Sequence, residues 1–211
     1  MNFKGKTVLI LAPHTDDAEF GCGGTISKLI EEGNNVYCVA FSACELSLQT
    51  HFPKDILITE IKEAAKELSI PPENLILYNY EVRTFNYKRQ EILQDLINLR
   101  SKLNPDIVFI PSLNDIHQDH YTIAHEGLRA FKNATIFCYE VPWNNLNFNT
   151  SAFFVLSPRH LQKKFNALAK YQSQAHRPYA NEDFLRSLAR VRGTQINVEF
   201  AECFEVLRLI I

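Results

Sequence analysis

The chain has 211 residues, of which 46% are hydrophobic and 22% charged, a balance that suits one folded domain and argues against disorder. Its formal net charge of -2 offers no basic field to nucleic acid or anionic lipid, so no nucleic-acid partner is expected. No apolar run approaches the ~18 residues that span a bilayer, the apolar start is too short for a secretory signal, and five cysteines without a CxxC pair suit a reducing compartment; a cytoplasmic protein with no integral membrane segment is expected.

Strand-like and helix-like segments alternate along the chain. Thr7–Ala12 is a continuous apolar run and reads as a buried central strand. Glycines 21, 23 and 24 follow, then a helix over Thr25–Glu32 stopped by Gly33. Val36–Phe41 reads as a strand. Leu57–Leu68 reads as a helix with Leu57, Ile61, Ala64, Ala65 and Leu68 on one face. Pro71–Pro72 break the chain before a short strand, Leu75–Tyr78. Lys88–Lys102 is a second amphipathic helix, Ile107–Pro111 a strand, His120–Phe131 a helix and Ile136–Tyr139 a strand. Further on come a strand at Phe153–Leu156, a helix over Arg159–Tyr171 with Ser157–Pro158 at its start, and a helix over Glu182–Val191. Ala201–Leu209 fits a strand or a short helix. Repeated βα units predict a single α/β domain over residues 1–211, with a mostly parallel sheet between two helical layers. In such sheets ligands bind beyond the carboxyl ends of the strands.

Two polar segments fall at those ends. Pro13-His14-Thr15-Asp16-Asp17 leaves the first strand, and the spacing of His14 and Asp17 brings an imidazole and a carboxylate to one side of a turn, both suited to Zn²⁺. Asp16 then lies beside the metal, where a carboxylate can accept a proton from activated water. A polar loop capping a helix is the plainer reading of this segment taken alone. The second segment, His117-Gln118-Asp119-His120, follows the strand IVFIP and supplies His120 as a third ligand, leaving an open position. His117 is then placed to donate to an oxyanion, and Asp119 to orient a histidine. His51, His125, His160 and His176 are expected to be structural. After the fifth strand, Trp143 offers a ring face for a sugar and Glu140 a carboxylate for its hydroxyls, although the same stretch suits a subunit contact and a homo-oligomer is left open.

These motifs resemble the LmbE/PIG-L-like zinc N-deacetylases. The resemblance rests on Pro13-His14-Thr15-Asp16-Asp17-Ala18-Glu19, Gly23-Gly24-Thr25-Ile26 and His117-Gln118-Asp119-His120. Weaker features follow at Tyr171-Gln172-Ser173-Gln174, Arg192-Gly193 and Ala201-Glu202-Cys203-Phe204. It implies a Rossmann-like fold and hydrolysis of an N-acetyl group, often on an amino sugar, with zinc on His14, Asp17 and His120. It implies Asp16 as general base, His117 as electrostatic stabiliser or acid, and Asp119 as the partner of a histidine. One departure stands out. Many members carry an arginine three residues before the glutamate of E-x-x-x-A-A, where this chain has Leu57 before Glu60. Arg83 is the expected substitute for gripping substrate, with Arg89 the second candidate.

The mechanism that follows has zinc polarise an acetamide, Asp16 take the water proton and a protonated His117 hold the oxyanion. Alternatives are a zinc amidase acting on thiol-sugar conjugates and a non-catalytic metal- or nucleotide-binding module. GxGxxG fails at Ile26, and neither a P-loop nor a GxSxG elbow occurs. A His₂Asp site also accepts Fe²⁺.

Overall fold

The computed structural model describes residues 3–49 and 51–211. Among them, seven strands form one sheet: β1 (Thr7–His14), β2 (Asn35–Ser42), β3 (Leu75–Leu77), β4 (Ile107–Pro111), β5 (Thr135–Tyr139), β6 (Ala152–Leu156) and β7 (Phe200–Arg208), in the order β3-β2-β1-β4-β5-β7-β6. The ladder from β3 to β5 is parallel, and β7 runs antiparallel to both β5 and β6. Six α-helices cover it: α1 (Asp17–Glu31), α2 (Ile56–Glu67), α3 (Arg89–Leu103), α4 (Gln118–Ala130), α5 (Pro158–Leu168) and α6 (Glu182–Thr194).

The apolar run of β1 is explained by burial on both faces. Val8, Ile10 and Ala12 pack with Cys22, Ile26, Ile61 and Ala64 of α1 and α2, while Leu9 and Leu11 pack with Ile92, Leu96 and Ile123 of α3 and α4. The expected three-layer α/β/α arrangement is therefore present. No described helix is long and apolar enough to cross a membrane. The segment that pattern alone left undecided, Ala201–Leu209, is extended, because β7 fills the gap between β5 and β6. Helix α5 opens as the Ser157-Pro158 pair predicts, with Ser157 and His160 exchanging side-chain and backbone hydrogen bonds, but it stops at Leu168.

Helix α1 differs most from expectation. It begins at Asp17, not Thr25, and runs straight through the glycine cluster. Each glycine costs a helix about 1 kcal/mol relative to alanine. Here the missing side chains let the neighbouring layers approach. A Cβ on Gly21 would lie 2.3 Å from Cδ2 of Tyr139, one on Gly23 2.8 Å from Cγ of Lys164, and one on Gly24 2.4 Å from Cδ1 of Leu156. A buried ion pair also reaches the helix backbone that the glycines leave uncovered by side chains. Glu202 on β7 accepts the N–H groups of Gly24 (3.1 Å) and Thr25 (2.7 Å), while Lys164 on α5 donates to Phe20 O (2.6 Å) and to Glu202 (2.6 Å). Charges buried this deeply are tolerated when hydrogen-bonded on every side.

From β1 the chain moves outward to β2 and β3, then returns to β4 and moves the other way to β5. The connections therefore part between β1 and β4, and the loops at their carboxyl ends face one another across the crevice where such sheets bind ligands.

The Tyr139 ring beside Gly21 has little room to withdraw, being fully buried with its hydroxyl donating to Leu11 O at 2.9 Å. Gly21→Ala should therefore lower stability by about 1–3 kcal/mol through overpacking, despite the gain in helix propensity. Chemical denaturation followed by circular dichroism reads this as an earlier midpoint at unchanged slope; an unmoved midpoint would show that the ring yields.

Candidate active site

His14 ends β1 and Asp17 opens α1, so only Thr15 and Asp16 separate strand from helix. Asp17 Oδ2 accepts the backbone N–H of His14 at 2.8 Å, which closes the turn and brings both side chains to one side. Across the crevice, the loop after β4 is braced by Asp115, whose Oδ1 accepts the N–H of His117 (2.8 Å) and whose Oδ2 meets Nδ1 of His120 (2.7 Å). His117 caps α4, its Nδ1 accepting the N–H of Asp119 at 3.2 Å. Asp119 turns back across the sheet edge to Nε2 of His14 at 3.0 Å.

These contacts fix which ring nitrogens carry protons. A carboxylate accepts only, so His120 donates Nδ1–H to Asp115 and His14 donates Nε2–H to Asp119. The lone pairs of His120 Nε2 and His14 Nδ1 are thereby left facing inward, 3.2 Å apart, and Asp17 Oδ2 lies 3.2 Å from each. Three acceptors thus form a triangle of equal sides. Tetrahedral ligands at about 2.0–2.1 Å from a zinc ion sit about 3.3 Å apart, so this donor set fits the ion. The imidazole nitrogens of His14, His117 and His120 also lie within 4.8 Å of one another, so His117 stands at the edge of the same site.

The electrostatics agree with that crowding. Against the cost of burial, Asp17 and Asp115 push His120 up to about 10, and Asp119 and Asp17 raise His14. Burial likewise opposes ionisation of Asp17, yet His120 and His14 hold it well below the carboxylate range. In a metal-free site, a proton shared among these groups relieves the repulsion of three lone pairs. His117 behaves oppositely: burial, and then the charges of His14 and His120, lower it to about 4. It is neutral near pH 7, and because Nδ1 accepts from the backbone its proton sits on Nε2. Asp16 lines the cleft without capping the helix through its side chain; burial and the adjacent Asp17 push it up to about 6, with His14 and Arg177 pulling the other way.

Asp119 also shapes the cleft. Its carboxylate accepts the N–H groups of Arg83 (2.6 Å) and Phe85 (3.3 Å), holding the loop after β3, where Arg83 has a positive φ of 70°. The cleft has a volume of about 320 Å³ and is lined by Asp16, Arg83, His117, Trp143, Arg177 and Tyr179, among others. Trp143 stacks on Tyr179 at 3.7 Å between centroids, and both meet Phe20 edge-on. Leu57, at the place of the family arginine, is buried at the cleft wall.

Two sequence expectations need correction. Glu140 does not line the cleft: its carboxylate is held by Arg192 at 2.9 and 2.7 Å and receives the Cys203 thiol at 3.3 Å. Arg89 is also elsewhere, paired with the buried carboxylate of Glu126 (2.8 Å from Nε). Sequence reasoning missed Asp115, whose only signal was an acid in the same loop two residues before His117. It missed Arg177 and Tyr179 as well, because nothing local ties the stretch after α5 to β1.

Residues 9–131, more than half of the chain, match the family described as PIG-L: GlcNAc-PI de-N-acetylase. YaiS, an uncharacterized deacetylase of Escherichia coli (strain K12), is 24% identical over 177 residues, which cover 81% of this chain and 92% of that protein. The structure of the N,N'-diacetylchitobiose deacetylase of Pyrococcus horikoshii is similar with a TM-score of 0.78 at 22% identity, covering 98% of this chain and 85% of that one. GalB, the 4-carboxy-2-hydroxymuconate hydratase of Pseudomonas putida KT2440, is similar with a TM-score of 0.76 at 18% identity and 98% coverage of both chains. Likeness at these identities establishes the fold, and the chemistry must be argued from the site. The matched span runs from β1 through α4 and contains every residue of the imidazole–carboxylate cluster: the chain belongs to the PIG-L (GlcNAc-PI de-N-acetylase) family.

Proposed function

We propose that the chain, read as one domain over residues 1–211, is a zinc-dependent hydrolase that removes the N-acetyl group from an acetamido sugar or sugar conjugate. The observation that carries this reading is the triangle of His14 Nδ1, His120 Nε2 and Asp17 Oδ2, with the acid Asp16 beside it and outside it. A binding-only site needs no such additional carboxylate. The names of the deacetylase relatives support the same reading. Five free cysteines, four of them buried, suit a reducing compartment such as the cytoplasm.

Zinc held by His14, Asp17 and His120 supplies positive charge that polarises an amide carbonyl and eases deprotonation of the attacking water. Asp16, with its carboxyl pushed up to about 6, is ionised near neutrality yet basic enough to take that proton. His117 donates Nε2–H to the oxyanion that develops as the carbonyl becomes tetrahedral. It does so as a neutral ring rather than the imidazolium expected from sequence, because its pKa lies near 4. The proton for the departing amine then comes from Asp16, which has just acquired one. Asp115 and Asp119 act through the histidines, fixing ring orientation and tautomer. Arg83 and the Trp143–Tyr179 stack, which line the same cleft, bind the sugar.

Acetate release from a panel of free, nucleotide-linked, lipid-linked and thiol-linked acetamido sugars, followed by mass spectrometry, tests the reaction. Absence of acetate from the zinc-loaded protein across the panel would overturn it. Asp16→Ala should cut turnover by about 10²–10⁴, the scale of a lost general base, while zinc stays near stoichiometric. Loss of metal from this variant would make Asp16 a ligand instead. Zinc binding should also release protons, since His120, raised to about 10, holds a proton at pH 7 in the metal-free protein and must give it up. Affinity therefore falls as pH falls. Calorimetric titration at pH 7 in buffers of different ionisation enthalpy reads the protons released; none released would show that His120 is already neutral before the metal binds.

A further inference from the structure

The segment between α5 and α6 brings a cation to the cleft that the hydrolytic steps above do not employ. Two buried ties hold this segment. Tyr171 Oη donates to Thr15 O at 2.6 Å, at the turn that carries Asp16. Glu60 on α2 accepts both the N–H (2.9 Å) and the hydroxyl (2.6 Å) of Ser173. The next residues present Gln174, Arg177 and Tyr179 to the cleft.

Arg177 is half-buried and its guanidinium is oriented by two neutral acceptors. Nε donates to Gln174 Oε1 at 2.6 Å and Nη1 to Tyr179 Oη at 2.8 Å. Among the described residues no carboxylate pairs with it, and Nη2 has no partner. Its charge reaches Asp16, but no hydrogen bond joins the two. A guanidinium fixed in plane, with donors left over and no carboxylate hydrogen-bonded to it, is arranged for a carboxylate or phosphate from outside. The same cleft also carries the apolar side chains of Leu57 and Val82 and a second guanidinium, Arg83, on the loop after β3.

We propose that Arg177 sets the substrate class of this enzyme by receiving an anionic substituent, carboxylate or phosphate, on the acetamido sugar. The sugar ring then lies against the Trp143–Tyr179 wall with its acetamide towards Asp16 and His117. This rests on the deacetylase reading.

The test compares three probes: neutral N-acetylglucosamine, N-acetylmuramic acid as carboxylate and N-acetylglucosamine-6-phosphate as phosphate. Calorimetry on the zinc-loaded wild type should give at least one charged probe about tenfold or more tighter binding than the neutral one, the scale of a charge-assisted contact. The charged probe that gains identifies the substituent. Arg177→Gln should abolish the preference, and Arg177→Lys should keep part of it. Where acetate is released, the same ratio should appear in kcat/KM. Equal binding of all three probes by the wild type overturns the proposal without recourse to any variant. So does a preference that survives Arg177→Gln. An equal loss on charged and neutral probes would reassign Arg177 to Asp16 and overturn it too. Preferential binding without acetate from any probe would uphold the anion contact and overturn the reaction instead.

Discussion

Three electron-rich atoms held 3.2 Å apart in a buried site are the constraint around which this molecule is arranged. With both inner nitrogens unprotonated, His14 Nδ1, His120 Nε2 and Asp17 Oδ2 repel one another. Their approach is enforced from behind. Asp115 and Asp119 hold the outer nitrogens of the two rings, and each carboxylate is itself anchored by backbone N–H groups. The arrangement calls for a positive charge at its centre, either protons or a metal ion, and that requirement is what supports reading it as a cation site.

The fold supplies the components from separate places. β1 and β4 are neighbours in the sheet, so the loop that ends one and the loop that ends the other meet without long connections. Asp119 extends the network sideways to the loop after β3, and Tyr171 extends it to the stretch after α5. With the stretches after β2 and β5, which bring Cys44 and Trp143, the walls of the cleft draw on six connections, while the imidazole–carboxylate centre comes from two. That division fits a chemistry fixed by rigid strand ends and a specificity that can vary in the surrounding loops.

The same division governs what the amino-acid sequence reveals. His14 with Asp17, and His117 with Asp119 and His120, are legible because their chemistry is concentrated in short segments at the ends of strongly apolar runs. The strands themselves are legible because burial on both faces leaves uninterrupted hydrophobic stretches. The start of α1 is hidden because helix propensity penalises Gly21, Gly23 and Gly24, and only the contacts with Tyr139, Lys164 and Leu156 show why they are there. Glu140 looks like a cleft residue until Arg192, 52 positions later, is seen to hold it. Arg177 is invisible for the converse reason: its setting is made by Glu60 and Thr15, both more than a hundred residues earlier.

The ion pair of Lys164 and Glu202 has a temporal side. Gly24 and Thr25 find their hydrogen-bond acceptor on a residue 178 and 177 positions further along the chain. During synthesis those amides emerge long before β7 exists, so this side-chain support for the glycine-rich middle of α1 forms only when the last strand docks. Contacts of such long range are slow to form, because loop-closure entropy must be overcome first. The brace on the helix that begins with Asp17 thus belongs to the long-range contacts that form late in folding.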